Sequence, residues 1–342
     1  MQNGKCRPRG LIVRKVLVTG GAGFIGTHLA RGLLNRGYFV ELLDNFSRGV
    51  LDQELKSLSE NENVKINDGD LLKAETFAAL SSDYSYIFHL AAIIGVAHVL
   101  NRPYAVLTDN ITMLISVLEF AKKQENLQRF LFASTSEVYA GTLQYFTLPI
   151  PTPEHTPLTV TDLKQNRTSY MLSKIYGEAL CHHSGIPFTI IRPHNIYGPR
   201  MGMSHVIPEL LKKGYSAERG ARIEVASVNH KRAFCYVDDA VEMIIRAVEK
   251  PTCKNETLNI GNDHLELSIG SLAHEIFGIL NKGQKGIPTQ ETPGSPTRRC
   301  PDMKHTYTLT GYKPTITLRD GLKRTYDWYR ENIFSGQTVG AR

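Results

Sequence analysis

The apolar run Val16-Leu17-Val18-Thr19 passes directly into Gly20-Gly21-Ala22-Gly23-Phe24-Ile25-Gly26, which reads as a strand ending in a glycine turn and restarting as a helix. The first glycines allow the tight turn and close approach of a ligand, and the last lets the helix lie against the strand. Backbone N–H groups at the helix start then form an anion site suited to a pyrophosphate. Glycine turns also serve structure alone, so the motif draws its weight from its surroundings. Asp44 stands about 20 residues on, at the end of the next apolar run, where a carboxylate takes the two hydroxyls of an adenosine ribose. A carboxylate there repels a 2′-phosphate, which favours NAD over NADP, with nearby Arg48 as the opposing signal.

From Lys15 onward, short β-branched runs alternate with amphipathic segments. The pattern predicts strands over Lys15–Thr19, Phe39–Leu43, Val64–Asn67, Tyr86–His89, Phe130–Ala133 and Phe188–Ile191. Helices are predicted over Gly23–Asn35, Lys73–Leu80, Tyr104–Lys123 and Thr168–His183, with a final amphipathic helix at Arg319–Trp328. The fold class is therefore α/β: a Rossmann-like, doubly wound parallel sheet with a smaller C-terminal substrate domain. Between Glu137 and Gln165 the periodicity stops and four prolines (Pro149, Pro151, Pro153, Pro157) sit among threonines, as in a functional loop or lid. The expected division is a loose arm at 1–14, an NAD-binding domain with the catalytic residues at 15–192, a mostly substrate-binding domain at 193–331 whose strands are free to cross back, and a tail at 332–342.

Composition narrows the class. With 342 residues and 42% hydrophobic content the chain can bury a large core. Its formal charge of +7 comes from dispersed basic residues, which suits phosphorylated small molecules better than nucleic acid. No apolar run reaches the roughly 18 residues of a spanning helix, and the first residues lack a signal-peptide core, so the expectation is a cytoplasmic protein without a membrane partner. The five cysteines are scattered and never in CxxC spacing, and no His, Asp or Glu cluster has metal-ligand spacing, so neither disulfides nor a metal are expected.

Tyr170 and Lys174 lie four residues apart on the predicted helix 168–183 and so share one face. An ammonium near a phenol lowers its pKa from about 10 toward working pH, which makes the phenolate a general base for an alcohol. Alone, a YxxxK spacing is commonly a chance surface pair; downstream of a dinucleotide turn it points to redox chemistry.

These residues resemble the extended short-chain dehydrogenase/reductases, the NAD-dependent nucleotide-sugar epimerase, dehydratase and decarboxylase family, over about residues 15 to 330. The likeness rests on the glycine turn, Asp44-Asn45, Gly69-Asp70-Leu71, His89-Leu90-Ala91-Ala92, Asn110, Ala133–Tyr139, Tyr170–Lys174, Arg192–Asn195 with Tyr197-Gly198-Pro199, and Arg232–Asp239. It implies that Asp70 and Leu71 border the adenine, that Ala91, Ala92, Pro193 and His194 lie beside the nicotinamide, and that Asn110 supports the catalytic helix. It also implies that Asn195, Arg232 and Arg299 hold a sugar-nucleotide diphosphate, a task that suits forked guanidinium donors.

In the mechanism the resemblance implies, Tyr170 takes the proton of a sugar hydroxyl, usually the 4-OH, while Thr135 bonds the same oxygen and Lys174 binds the nicotinamide ribose. The 4-ketone acidifies C5–H and turns a C5 carboxylate into a β-keto acid, so one oxidation opens several outcomes. Thr135-Ser136-Glu137 resembles UDP-glucuronate decarboxylases and GDP-mannose 4,6-dehydratases, whereas simple 4-epimerases tend to lack the carboxylate. Ser136 is a weak acid for assisting loss of a hydroxyl, and decarboxylation does not need one. The leading expectation is a lyase acting on a UDP-uronate or an NDP-hexose. An epimerase acting at C4 or a neighbouring carbon is the alternative, and a non-catalytic dinucleotide sensor the distant one. The resemblance also implies a homodimer through the helices of Asn110 and Tyr170, with Leu114, Val117, Leu118, Met171, Ile175 and Leu180 as candidate outward residues. The histidines His28, His182 and His183 read as packed or helix-end residues, and His205 as a helix start.

Overall fold

The computed structural model describes residues 14–292 and 295–336, so the expected arm up to residue 13, Cys6 included, and the tail from 337 lie outside the described residues. Strands β1 (Lys15–Thr19), β2 (Phe39–Asp44), β3 (Val64–Asp68), β4 (Tyr84–His89), β5 (Arg129–Ala133) and β6 (Phe188–Pro193) fall on the apolar runs. Both faces of the inner sheet are covered, which is why runs such as β1 do not alternate with polar residues: Val16 and Val18 enter one core layer and Leu17 the other, whereas the edge strand β3, Val-Lys-Ile-Asn-Asp, does alternate. A seventh strand, Glu256–Ile260, is not among the predicted ones; it comes back from the C-terminal part and pairs in parallel with β6. The sheet order is Glu256–Ile260, β6, β5, β4, β1, β2, β3. That order reverses between β1 and β4 and opens a crevice beyond their C-terminal ends. At its floor Thr19 Oγ1 and His89 Nδ1 share a hydrogen bond of 2.8 Å. Burial pushes the pKa of His89 down to about 3, so the ring is neutral there.

The helices α1 (Phe24–Asn35), α2 (Gln53–Ser59), α3 (Ala74–Ala78), α4 (Val96–Asn101), α5 (Pro103–Lys122), α6 (Ala140–Tyr145) and α7 (Thr168–His183) connect the strands. The sequence pattern does not reveal α2, α4 and α6, which have seven residues or fewer and show no clear 3.6-residue period. One helix, α5, is long and apolar enough to cross a membrane, which corrects the reading that no segment qualifies. Here Val106, Met113, Leu114 and Val117 of α5 are buried, and the helix lies beside α7.

The proline-rich segment after Glu137 is fastened rather than free. Thr142 Oγ1 donates to Pro157 O at 2.6 Å, Thr152 N donates to Cys300 O at 2.9 Å, and Thr152 O accepts from Asp302 N at 2.9 Å. A Cβ on Gly141 would overlap the carbonyl oxygen of Thr159. The expected lid is thus a strap folded on itself and fastened to the C-terminal part at Cys300 and Asp302. The last helix, Leu318–Tyr329, continues into a π-helical turn at Arg330–Phe334, which runs into the region expected as tail from residue 332.

Asp239, in the first turn of the helix Val237–Glu249, anchors the approach to that last helix. Its buried carboxylate accepts from Tyr312 Oη at 2.6 Å, Thr315 N at 2.9 Å and Ile316 N at 3.0 Å. Asp239→Ala leaves these donors unpaired and should lower unfolding stability by about 3 kcal/mol or more, read by chemical denaturation. A loss within measurement error would show that the anchor is dispensable.

Candidate active site

The crevice at the reversal point is a cleft of ≈ 620 Å³, within the usual range for a small-molecule or cofactor site. Its base is the glycine turn. Gly20 has φ +73°, and a Cβ there would sit 2.8 Å from Ala91 N; on Gly26 a Cβ would overlap the Gly20 carbonyl oxygen. Only hydrogen fits at both positions, so α1 starts flush against β1 with Gly20, Gly23, Phe24, Ile25 and Gly26 in the cleft wall.

Asp44 closes the far side. Its Oδ2 accepts from Ala22 N at 3.0 Å and its Oδ1 from Phe46 N at 2.9 Å, which leaves each oxygen a lone pair for a ribose hydroxyl. Burial raises the Asp44 pKa, opposed by those two amides, with smaller effects from the charges of Asp68 and Arg200. Arg48 lines the same cleft, and its charge lowers the pKa of both Tyr170 and His205. Asn45, Leu71, Ala91, Ala92 and Pro193 complete this wall. The turn, the carboxylate and the volume fit an adenine dinucleotide.

Thr135, Glu137, Tyr170, Lys174 and Asn195 line the opposite end. Lys174 is buried, and its Nζ donates to Ala133 O at 2.7 Å while lying 5.8 Å from the Tyr170 ring centroid. Burial pushes the Lys174 pKa down to about 8. The Tyr170 phenol is shifted upward, first by burial and then by the Glu137 charge; a hydrogen bond with Thr135 and the Arg48 charge pull it down. This is opposite in direction to the effect expected of Lys174, whose cation is turned to a backbone carbonyl instead. Glu137 Oε1 is paired with Arg299 Nη1 at 2.8 Å, and that guanidinium keeps its carboxyl below the usual range.

Several predicted residues stand behind the cleft wall. Ser136 is buried at the start of a 3-10 turn. The Oδ1 of Asp70 accepts from Leu72 N at 3.0 Å. Buried His194 is hydrogen-bonded through Nε2 to Asn259 Oδ1 at 3.0 Å and burial pushes its pKa down to about 3. Asn110 accepts from Ile93 N at 2.7 Å and donates to Ser173 Oγ on the catalytic helix at 3.4 Å. Arg232 is held by Ser295 Oγ at 2.8 Å and Pro296 O at 2.6 Å, in register with Arg299, and burial lowers its pKa to about 10. His205 precedes the helix Val206–Ser216 but makes no side-chain cap; its ring lines the cleft.

Sequence reasoning missed the support beneath the catalytic turn. Ser134 Oγ donates to Glu178 Oε1 at 2.5 Å, and Arg192 Nη2 pairs with Glu178 Oε2 at 2.6 Å, all buried. Arg192 Nη1 also donates to Tyr139 Oη at 2.7 Å. The signal was available in the four-residue spacing that continues from Tyr170 through Lys174 to Glu178. Among the described residues no group of three or more His, Cys, Asp or Glu side chains is disposed to hold a metal ion, and Cys181, Cys235, Cys253 and Cys300 are buried free thiols.

A glycine turn beneath a helix start, a carboxylate ending the second strand and a Tyr/Lys pair across one cleft define a dinucleotide-dependent enzyme of the Rossmann type. The chain belongs to the NAD-dependent epimerase/dehydratase family, which it matches over residues 16–261, and its cofactor is NAD. It is 32% identical over 338 residues to a UDP-N-acetyl-alpha-D-glucosaminuronate decarboxylase of Bacillus cytotoxicus, covering 93% of this chain and 98% of the relative. It is 30% identical to a putative UDP-glucose 4-epimerase of Methanocaldococcus jannaschii, covering 93% and 99%. Among solved structures, a UDP-glucuronic acid 4-epimerase from Bacillus cereus superimposes with a TM-score of 0.78 at 29% identity, covering 93% of this chain and 99% of that one.

The charges around Tyr170 give a test that needs no substrate. Glu137→Gln removes a negative charge that raises the phenol pKa, so Tyr170 should ionise at lower pH in that variant. Phenolate absorbance in a pH titration, with Tyr170→Phe as the blank, reads the shift; an unmoved or upward midpoint contradicts the arrangement.

Proposed function

We propose that this enzyme is a nucleotide-sugar lyase that oxidises its substrate transiently at sugar C4, with decarboxylation of a UDP-uronate as the favoured reaction. The observation that carries this reading is Glu137: a carboxylate in the cleft wall, next to Thr135 and Tyr170 and held ionised by Arg299 at 2.8 Å. NAD, when bound, supplies reversible hydride transfer at C4. Tyr170 takes the 4-hydroxyl proton, Thr135 bonds both that oxygen and the phenol, and Lys174, fixed to Ala133 O, holds its cation beneath the pair. The neighbouring C5 carboxylate is then a β-keto acid and leaves as CO2 without an acid at a leaving hydroxyl. Ser136 supports this choice over 4,6-dehydration, because it is buried behind the wall and is no acid for a departing 6-hydroxyl. The enolate left at C5 takes up one proton from solvent, delivered by a water that the Glu137 carboxylate would hold; the hydride then returns to C4 and Tyr170 returns its proton to the 4-oxygen.

The decarboxylase of Bacillus cytotoxicus supports the same reading from sequence. The alternative is 4-epimerisation, which leaves mass unchanged; it is favoured by the epimerase fold relatives, one of which is named for UDP-glucuronic acid. A non-catalytic sensor is disfavoured because Tyr170, Lys174 and Thr135 all face the cleft.

We also propose a homodimer across α5 and α7. Leu114, Val117, Leu118 and Met171, expected to face outward, are core residues. The exposed apolar side chains are Tyr104 (81%) and Ile115 on α5, and Tyr176 on α7. Tyr104 and Ile115 are three helical turns apart and so lie on one face.

Glu137→Gln should lower CO2 release from a UDP-uronate by about 100-fold or more while substrate-dependent reduction of bound NAD persists. Full turnover in that variant, or a product of unchanged mass from the natural enzyme, would overturn the lyase reading. Paired Ile115→Glu and Tyr176→Glu changes should give a monomer by light scattering; an unchanged mass in solution would place any dimer contact elsewhere.

A further inference from the structure

Arg200 occupies a position that ordinary cleft-lining residues do not. Its backbone has φ +66°, a left-handed conformation that is strained for a side-chain-bearing residue and persists only where the surroundings enforce it. Its side chain is only 5% exposed, yet it has no partner in its own neighbourhood. It reaches across the cleft to the N-terminal half. Nη2 donates to Ala22 O at 3.4 Å and to Val50 O at 3.1 Å; Nη1 donates to Gly23 O at 3.3 Å and to Thr27 Oγ1; Nε pairs with Asp52 Oδ2 at 2.6 Å.

What this joins is specific. The loop Phe46–Leu51 follows Asp44, and its Ser47, Arg48 and Gly49 line the cleft over the glycine turn. A Cβ on Gly49 would lie 2.6 Å from the Ala22 Cβ and 3.0 Å from Asp44 Oδ1, so the loop backbone rests directly on the turn. Its other hydrogen bonds are local, Phe46 N to Asp44 and Ser47 N to Asn45. Among the described residues, the bond from Arg200 to Val50 O is the only hydrogen bond tying Phe46–Leu51 to a distant part of the chain. At the end of the loop Asp52 divides its carboxylate: Oδ1 caps α2 through Leu55 N at 3.0 Å, and Oδ2 takes Arg200. The strand-to-helix connection beside Asp44 is thereby fixed to the turn by a side chain that arrives from beyond β6, after five β-α crossovers and 148 residues later.

We propose that Arg200, paired with Asp52, is a latch that fastens the loop Phe46–Asp52 over the glycine turn and sets how slowly the dinucleotide leaves. Arg200 is a positioning residue, acting through the loop. The latch suits a cofactor that is oxidised and reduced within one cycle and has no need to exchange. The inference rests on the cleft being the NAD site and is independent of which reaction follows.

The test uses the full-length protein loaded with NADH, without sugar nucleotide, and follows loss of bound-NADH fluorescence during a chase with excess NAD. Arg200→Lys keeps the charge but loses the fork, and should speed release by about 10- to 100-fold, the size of one or two charge-assisted bonds. Asp52→Asn keeps the α2 cap, since asparagine caps as well as aspartate, and should speed release by about tenfold. The double variant should be no faster than Arg200→Lys, because both changes undo one contact. Unchanged release in Arg200→Lys overturns the latch. So does slower release in Asp52→Asn, which would mean that Arg200 binds the cofactor anion directly and is freed by losing its partner. Additive effects in the double variant overturn the pairing. If Arg200→Lys does not fold, Asp52→Asn decides alone, and a lowered melting temperature with natural release kinetics below it counts against the latch.

Discussion

No side chain fits where Gly26 crosses the turn at Gly20, and the rest of the site depends on that contact. A single Cβ would push the start of α1 away from β1, and with it the backbone amides that face the cleft. Because the helix starts flush with the strand, Ala22 N is placed to bond Asp44 at 3.0 Å, which sets the second strand's carboxylate relative to the turn. The cleft wall between the turn and the Tyr170 helix then follows from parallel sheet spacing, through His89 and Thr19 at the reversal point.

The framework was legible because each of its parts is a strong local signal. The inner strands such as β1, β5 and β6 are near-continuous apolar runs, since both faces of the sheet are buried there, and the long helices carry enough turns to show their period. The strand Glu256–Ile260 was hidden because its sequence, Glu-Thr-Leu-Asn-Ile, is short and half polar; Asn259 is buried only because Tyr139, His194, Thr152 and Asp302 satisfy it. The strap after Glu137 escaped for a related reason: its fixity comes from long-range bonds to Cys300 and Asp302, which leave no local pattern.

At the site, motif residues were legible and their electrostatics were not. Spacing places Tyr170 and Lys174 on one face, but it cannot say that Lys174 is turned to Ala133 O, nor that Glu137 lies near enough to oppose ionisation of the phenol. Those are facts of burial and of neighbours from other elements. The same holds for Arg299, whose partner Glu137 lies 162 positions away. Charges brought together by tertiary contact, and not by helix spacing, decide which protons this cleft can move.

The returning strand has a consequence for how the chain is made. Buried Arg129 of β5 donates to Thr189 Oγ1 at 2.8 Å, but its remaining partners are the carbonyls of Ala247 at 3.3 Å and Lys250 at 3.5 Å. The outer edge of β6 is likewise unpaired until Glu256–Ile260 arrives. While the polypeptide emerges from the ribosome, the half that carries the glycine turn and the Tyr170 helix is therefore complete in sequence but open along one edge, with a guanidinium short of acceptors. Synthesis of the later segment closes the earlier one, so the sheet edge of the dinucleotide-binding half is completed only when Glu256–Ile260 is in place.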